Sequence, residues 1–142
     1  MTRVIAALAA LVLPLGACTQ VGGDAPPPTT APEITGVWKG NLTENTGSTF
    51  SVTVTIAAPL VVGQQGAEAS YRGIGGPGGC SGTWVYNGQE QGSFTFTETI
   101  TSGAEGSCDG TGDVTLTPAP DDILQYVWKD GSDNSIGMLA RP

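Results

Sequence analysis

Three cysteines, at positions 18, 80 and 108, and a glutamate at 98 set among aromatic residues offer this 142-residue chain most of its chemistry. Histidine is absent altogether. That removes the usual general base at neutral pH, the partner of a serine or cysteine nucleophile, and the commonest metal ligand. No catalytic residue, metal site or cofactor is therefore expected, and the chain reads as a non-enzyme. A glycosidase would need Glu98 and a second carboxyl within about 10 Å across an open cleft.

Glu98 shares its side of an alternating run with Phe94, Phe96 and Ile100. A carboxylate on a dry face has to be paired, hydrogen-bonded or protonated. It can read a ligand, or it can sit near an open end bonded to hydroxyls or loop amides. Trp38, Tyr71, Trp84, Tyr86, Tyr126 and Trp128 fall on the same inward faces, where rings either line a pocket for a lipid or sugar or fill a core. The candidate ligand-binding set is Trp38, Tyr71, Trp84, Glu98, Tyr126 and Trp128. Asp109 to Asp113 and Asp130 to Asn134 place carboxylates on tight loops, but neither has the spacing or terminal Glu of an EF-hand, so turn chemistry explains them. Asn41-Leu42-Thr43 matches the glycosylation sequon only formally.

The N-terminal segment decides where this chemistry takes place. Arg3 precedes a short apolar run from Val4 to Leu15, interrupted by Pro14 and ending in small residues before Cys18. It is too short to span a bilayer, which takes about 20 apolar residues, and it has the three-part pattern of an export signal. Leu15-Gly16-Ala17-Cys18 resembles a bacterial lipobox, which implies a Cys18 thiol diacylated, palmitate-like, before cleavage of the preceding signal peptide. The expected location is the outer face of the bacterial cell membrane, held by acyl chains rather than by a spanning segment.

With Cys18 acylated, an even pair remains, and in an exported chain Cys80 and Cys108 read as a disulfide. The expected organisation is a signal peptide over residues 1–17, a lipidated cysteine with a Pro/Thr-rich tether over 18–33, and one domain over 34–142. The tether has almost no apolar bulk, so it stays extended and holds the domain up to about 40 Å from the lipid surface at about 3.1 Å per residue. Its Thr29-Thr30-Ala31-Pro32 stretch could carry O-linked sugars. The mature chain sets thirteen acids against Lys39, Arg72, Lys129 and Arg141. That balance disfavours nucleic acid and direct contact with anionic headgroups.

From Ile34 the apolar period becomes two, and clusters of Gly, Asn, Asp and Pro separate the runs. Eight strands are expected, near 36–43, 49–57, 67–73, 80–86, 92–101, 112–117, 123–129 and 135–141. Asn87-Gly88 opens one turn, residues 118–122 form another, and 130–134 a third; in the last strand Ile136, Met138 and Ala140 alternate to the end. Short links at regular spacing predict an all-β fold, a small antiparallel eight-stranded meander barrel with one disulfide; a β-sandwich is the alternative.

Gly36-Val37-Trp38-Lys39-Gly40, Cys80-Ser81-Gly82, the stretch from Glu98 through Gly103 to Cys108, and Leu124-Gln125-Tyr126-Val127-Trp128 resemble small extracytoplasmic β domains of actinobacterial lipoproteins, also found appended to some membrane Ser/Thr kinases. The likeness runs over nearly all of the chain from Thr35 and implies no particular activity. Thr35-Gly36-Val37-Trp38 also resembles the opening strand of lipocalin and streptavidin barrels, in which the tryptophan packs at the base; no biotin-contacting set accompanies it. The expected function is a binding module for a small apolar or glycan ligand at the cell envelope. The alternative is a structural or protein-interaction domain with a packed core and an envelope protein as partner.

Overall fold

The computed structural model describes residues 33–74, 79–103, 108 and 110–142. The leader, Cys18, the tether and its threonines lie outside the described residues, as do Asp109 and parts of the two glycine-rich loops. Eight strands follow one another: β1 (Gly36–Glu44), β2 (Thr49–Ile56), β3 (Gln65–Arg72), β4 (Cys80–Glu90), β5 (Ser93–Ser102), β6 (Thr111–Ala119), β7 (Ile123–Asp130) and β8 (Asp133–Ala140). Each pairs antiparallel with the next, and β1 also pairs with β8, so the sheet closes into a barrel with no free edge. Closure excludes the sandwich.

The period of two in the sequence becomes the inside and outside of this barrel. In β2, Phe50, Val52, Val54 and Ile56 point inward while Ser51 and Thr55 face solvent. β4 sends Cys80, Gly82, Trp84 and Tyr86 inward, and β5 sends Phe94, Phe96 and Glu98 to meet them. Such alternation gives each strand one dry face and one wet face.

Three local expectations are corrected. Asn87-Gly88 lies inside β4 rather than in a turn: the register slips between Tyr86 and Gly88, which is a bulge, and the chain reverses at Gln91 and Gly92 (φ 50° and 85°). β6 runs on through Pro118 to Ala119, and Asp121 and Asp122 (φ 63° and 53°) make the turn. Positive φ values suit the right-handed twist of the flanking strands, so two residues suffice between Glu90 and Ser93, while Pro120, Asp121 and Asp122 make a three-residue turn between Ala119 and Ile123. Likewise the last turn is confined to Gly131 and Ser132, since Asp130 and Asp133 already pair.

The last strand reverses the expected phase. Ile136 and Met138 are more than half exposed, and Ser135, Gly137 and Leu139 face the interior. The partner strand is the reason. Trp128 and Tyr126 of β7 stand opposite Ser135 and Gly137, and a side chain at Gly137 would run into Leu42 and the backbone of Asn41.

The barrel's two ends differ. At the end where β1 begins, Ile34 is buried and its carbonyl accepts from the Trp38 indole N–H at 2.7 Å; the Arg141 guanidinium covers that indole at 4.3 Å and donates to the Thr35 carbonyl. The β2–β3 loop folds over the same end, its Gln64 carbonyl accepting from the Tyr86 N–H and Leu60 packing on the core. The opposite end carries the β1–β2, β3–β4, β5–β6 and β7–β8 connections and the Cys80–Cys108 disulfide, whose Cα atoms are 6.3 Å apart.

That disulfide closes a loop spanning a sequence separation of 28, and loop-closure entropy of this size is worth about 3 to 4 kcal/mol. The Cys80→Ala/Cys108→Ala double variant is expected to lose that much unfolding free energy by urea titration; a loss under about 1 kcal/mol would mean that the link does not constrain the unfolded chain.

Candidate functional site

Alternation along β5 carries Glu98 into the interior, where it is 3 % exposed. Its neighbours across the sheet are Trp84 on β4 and Gly112 on β6. The Trp84 indole N–H donates to Glu98 Oε1 at 2.8 Å, and the Tyr71 hydroxyl, reaching from β3, donates to the same oxygen at 2.5 Å. The Tyr126 hydroxyl of β7 stands 3.4 Å from that of Tyr71. Since the single O–H of Tyr71 is spent on the carboxylate, Tyr126 points its own toward Tyr71.

Small residues on the same strands make this convergence fit. A Cβ at Gly82 would press on Glu98 Oε1 at 2.7 Å, and one at Gly112 would overlap the Trp128 indole. Glycine is therefore required at both positions by side chains on neighbouring strands rather than by its own backbone.

Burial pushes the Glu98 carboxyl above the usual carboxylate range; the hydrogen bonds of Tyr71 and Trp84 and the nearby Trp128 indole oppose that shift without cancelling it. Tyr71 is pushed well up by burial and by its position beside Tyr126 and Glu98, and Tyr126 is pushed up by burial and by Glu98. Both phenols therefore stay protonated, as donors. Among the described residues no lysine or arginine acts on the carboxylate.

Above this cluster, toward the disulfide end, lies a cavity of about 70 Å³. Phe50, Tyr71, Tyr126 and Trp128 supply its rings, Glu98 and Glu44 its carboxylates, and Ser135 and the Cys80–Cys108 link its rim. Sites for drug-sized ligands enclose about 300–1,000 Å³. This one admits a few waters or a group of a few heavy atoms.

Of the six residues proposed from sequence to contact a ligand, Tyr71, Glu98, Tyr126 and Trp128 come together around the cavity. Trp84 lies beneath it, bonded to the carboxylate and packed against Phe96 and Tyr126 with ring centroids 5.6 and 6.0 Å away. Trp38 lies apart from it, under Arg141 at the plugged end. Sequence reasoning missed Ser135, Phe50 and Glu44 as lining residues. Ser135 could have been found by asking which small residue faces Trp128 across the hairpin. Among the described residues no group of three or more His, Cys, Asp or Glu side chains is placed to hold a metal.

Comparison of the chain with protein-family models, with curated proteins and with solved structures finds no match in any of the three. Function is consequently argued from the site alone.

The pKa direction of Glu98 fixes the sign of a pH effect. A group whose pKa is higher in the folded state stabilises the fold fully below its unfolded pKa, and that contribution is lost as the pH rises through the folded value. Glu98→Gln keeps an oxygen for the Trp84 and Tyr71 donors but carries no charge. As the pH rises above the free glutamate value of about 4.3, wild-type stability measured by urea denaturation is expected to decline relative to that of Glu98→Gln; a difference constant with pH, or one of opposite slope, would contradict a desolvated carboxylate.

Proposed function

We propose that this chain is a lipid-anchored domain of the bacterial cell envelope whose disulfide-closed barrel mouth takes a small ligand, with Glu98 as the group that reads it. The supporting observation is a nearly buried carboxylate, bonded on one oxygen by Tyr71 and Trp84, that lines a cavity at the disulfide end of the barrel. The cavity volume argues against a whole sugar ring or an acyl chain as the occupant, so the broader expectation of a glycan or apolar ligand narrows to a group of a few atoms. The packed base, with Trp38, Trp84 and Phe96 buried, favours a second reading in which the domain is a rigid scaffold that contacts an envelope protein.

The three tryptophans separate the two readings, because Trp128 lies at the mouth, Trp84 beneath it and Trp38 at the plugged end. In heteronuclear NMR spectra, one or more of a panel of small alcohols, amines, amides and carboxylic acids is expected to shift the Trp128 and Trp84 indole N–H signals saturably and leave that of Trp38 in place. If no class moves Trp128, the scaffold reading replaces this one.

Anchoring rests on the lipobox-like Leu15-Gly16-Ala17-Cys18. The described chain enters β1 at the plugged end, so a tether leading back to Cys18 would join the barrel at the end away from the mouth. Expressed with its own leader in a Gram-positive host, the protein is expected in the membrane fraction with acyl chains on Cys18 by mass spectrometry, and Cys18→Ser is expected in the medium or retained with its leader. An unacylated wild-type chain in the medium would refute the anchor.

A further inference from the structure

We propose that the ligand of the barrel mouth is a small primary amine, bound as its ammonium ion with one or two carbons, seated between the Glu98 carboxylate and the rings of Tyr71, Tyr126 and Trp128. This rests on the mouth-binding reading and adds the chemical class of the ligand. Charge is the first argument. Glu98 and Glu44 line the cavity, and among the described residues no basic side chain does. Of the basic residues in the described chain, Lys39, Arg72 and Lys129 are exposed, and Arg141 covers Trp38 at the far end. A nearly buried carboxylate is thus left with neutral donors only, and a buried charge calls for a countercharge.

The second argument is the remaining hydrogen-bonding capacity. An ionised carboxylate offers about four acceptor sites. Tyr71 and Trp84 occupy one oxygen, and the single N–H of the nearby Trp128 indole can satisfy at most one further site. An ammonium brings three N–H donors to the rest of the carboxylate and to the Ser135 hydroxyl at the rim; a quaternary ammonium brings none. The third argument is the walls. Four aromatic side chains line the space, and rings attract cations while shielding them from water. A bare inorganic cation would need several oxygen ligands, and among the described residues no group of three or more carboxylate side chains is placed to supply them. The volume of about 70 Å³ limits the carbon chain.

The test follows the indole N–H signals of the full domain during titration with methylammonium chloride, with methanol, sodium formate, tetramethylammonium chloride and potassium chloride as parallel arms. Methylammonium is expected to shift Trp128 and Trp84 saturably with Trp38 unmoved, methanol to bind about tenfold more weakly or worse, and the other three to leave the signals in place. Methylammonium affinity should also fall as the pH drops through the titration of Glu98, the groups facing that carboxylate being Tyr71, Trp84, Tyr126 and Trp128, with Glu44 at the rim; this arm needs no variant. Glu98→Gln should weaken binding about tenfold or more, and Glu44→Gln, at a half-exposed position that leaves the core intact, about twofold at low salt. If methanol binds as well as methylammonium, or potassium matches it, the ammonium assignment fails while a mouth site survives. If no probe of any class moves Trp128, both fail.

Discussion

Eight closed strands enclose an interior of fixed width, and at the crowded mouth end the largest inward side chains fit because small residues face them on adjacent strands. The placing of Glu98 and of the last strand follows from that constraint. Trp84 and Trp128 fit because Gly82 and Gly112 leave room for Glu98 and for the Trp128 ring itself. Tyr126 and Trp128 face Gly137 and Ser135 across the last hairpin, and Leu139 meets Gly40 on the closing strand. Closure of β8 onto β1 is a close backbone approach as well: a Cβ at Gly40 would strike the Met138 carbonyl. A sequence with large residues at these glycines could still alternate in polarity and would not close.

The same matching accounts for a charge in the interior. Leucine at position 98 would suit the pattern of Phe94, Phe96 and Ile100 and would not have to be desolvated. With glutamate there, two donors from two other strands are committed to one oxygen, which joins β3, β4 and β5 through side chains in addition to their ladders. The arrangement is one-sided. Desolvation still raises the carboxyl's pKa despite those bonds, so the neutral donors do not fully offset the burial of a charge. A buried group that is hydrogen-bonded yet still short of a countercharge is common where function depends on what completes it.

Much of this architecture was legible in the sequence, and what was not has a definite physical cause. Strand positions to within a few residues and the inward faces of the first seven strands follow from a period of two and from turn residues, which are local signals, whereas the cysteine pair came from its even count in an exported chain and closure from the cost of free edges. Polarity misled at β8, where Ile136 and Met138 looked inward. The face of a strand in a barrel is decided by what stands across from it, and the small residues Ser135 and Gly137 carried that information without a hydrophobic signal. Asn87-Gly88 read as a turn because that dipeptide suits a hairpin, yet its glycine serves a bulge and the reversal falls to Gln91 and Gly92. For the site, alternation placed Tyr71, Glu98, Tyr126 and Trp128 inside, but it says nothing of height along the barrel. Height separates Trp38, which plugs one end, from Trp128, which lines the other.

The position of the disulfide bears on how such a mouth would work. Cys80 opens β4, and Cys108 lies in the connection leading to β6; both line the cavity whose far wall is Glu98. A link at the plugged end would have constrained the unfolded chain about equally, since loop-closure entropy depends on loop length and not on location. Placed at the mouth, it also holds Cys108 against the start of β4 beside the carboxylate, and fixing a site in advance lowers the ordering entropy that binding would otherwise consume. The filled base acts in the same direction, since Trp84 cannot shift without disturbing Phe96 and Tyr126. A cavity this small gives a ligand few contacts, so its affinity would depend on geometry already set by the protein, and a covalent tie at the rim above a rigid aromatic floor provides that geometry.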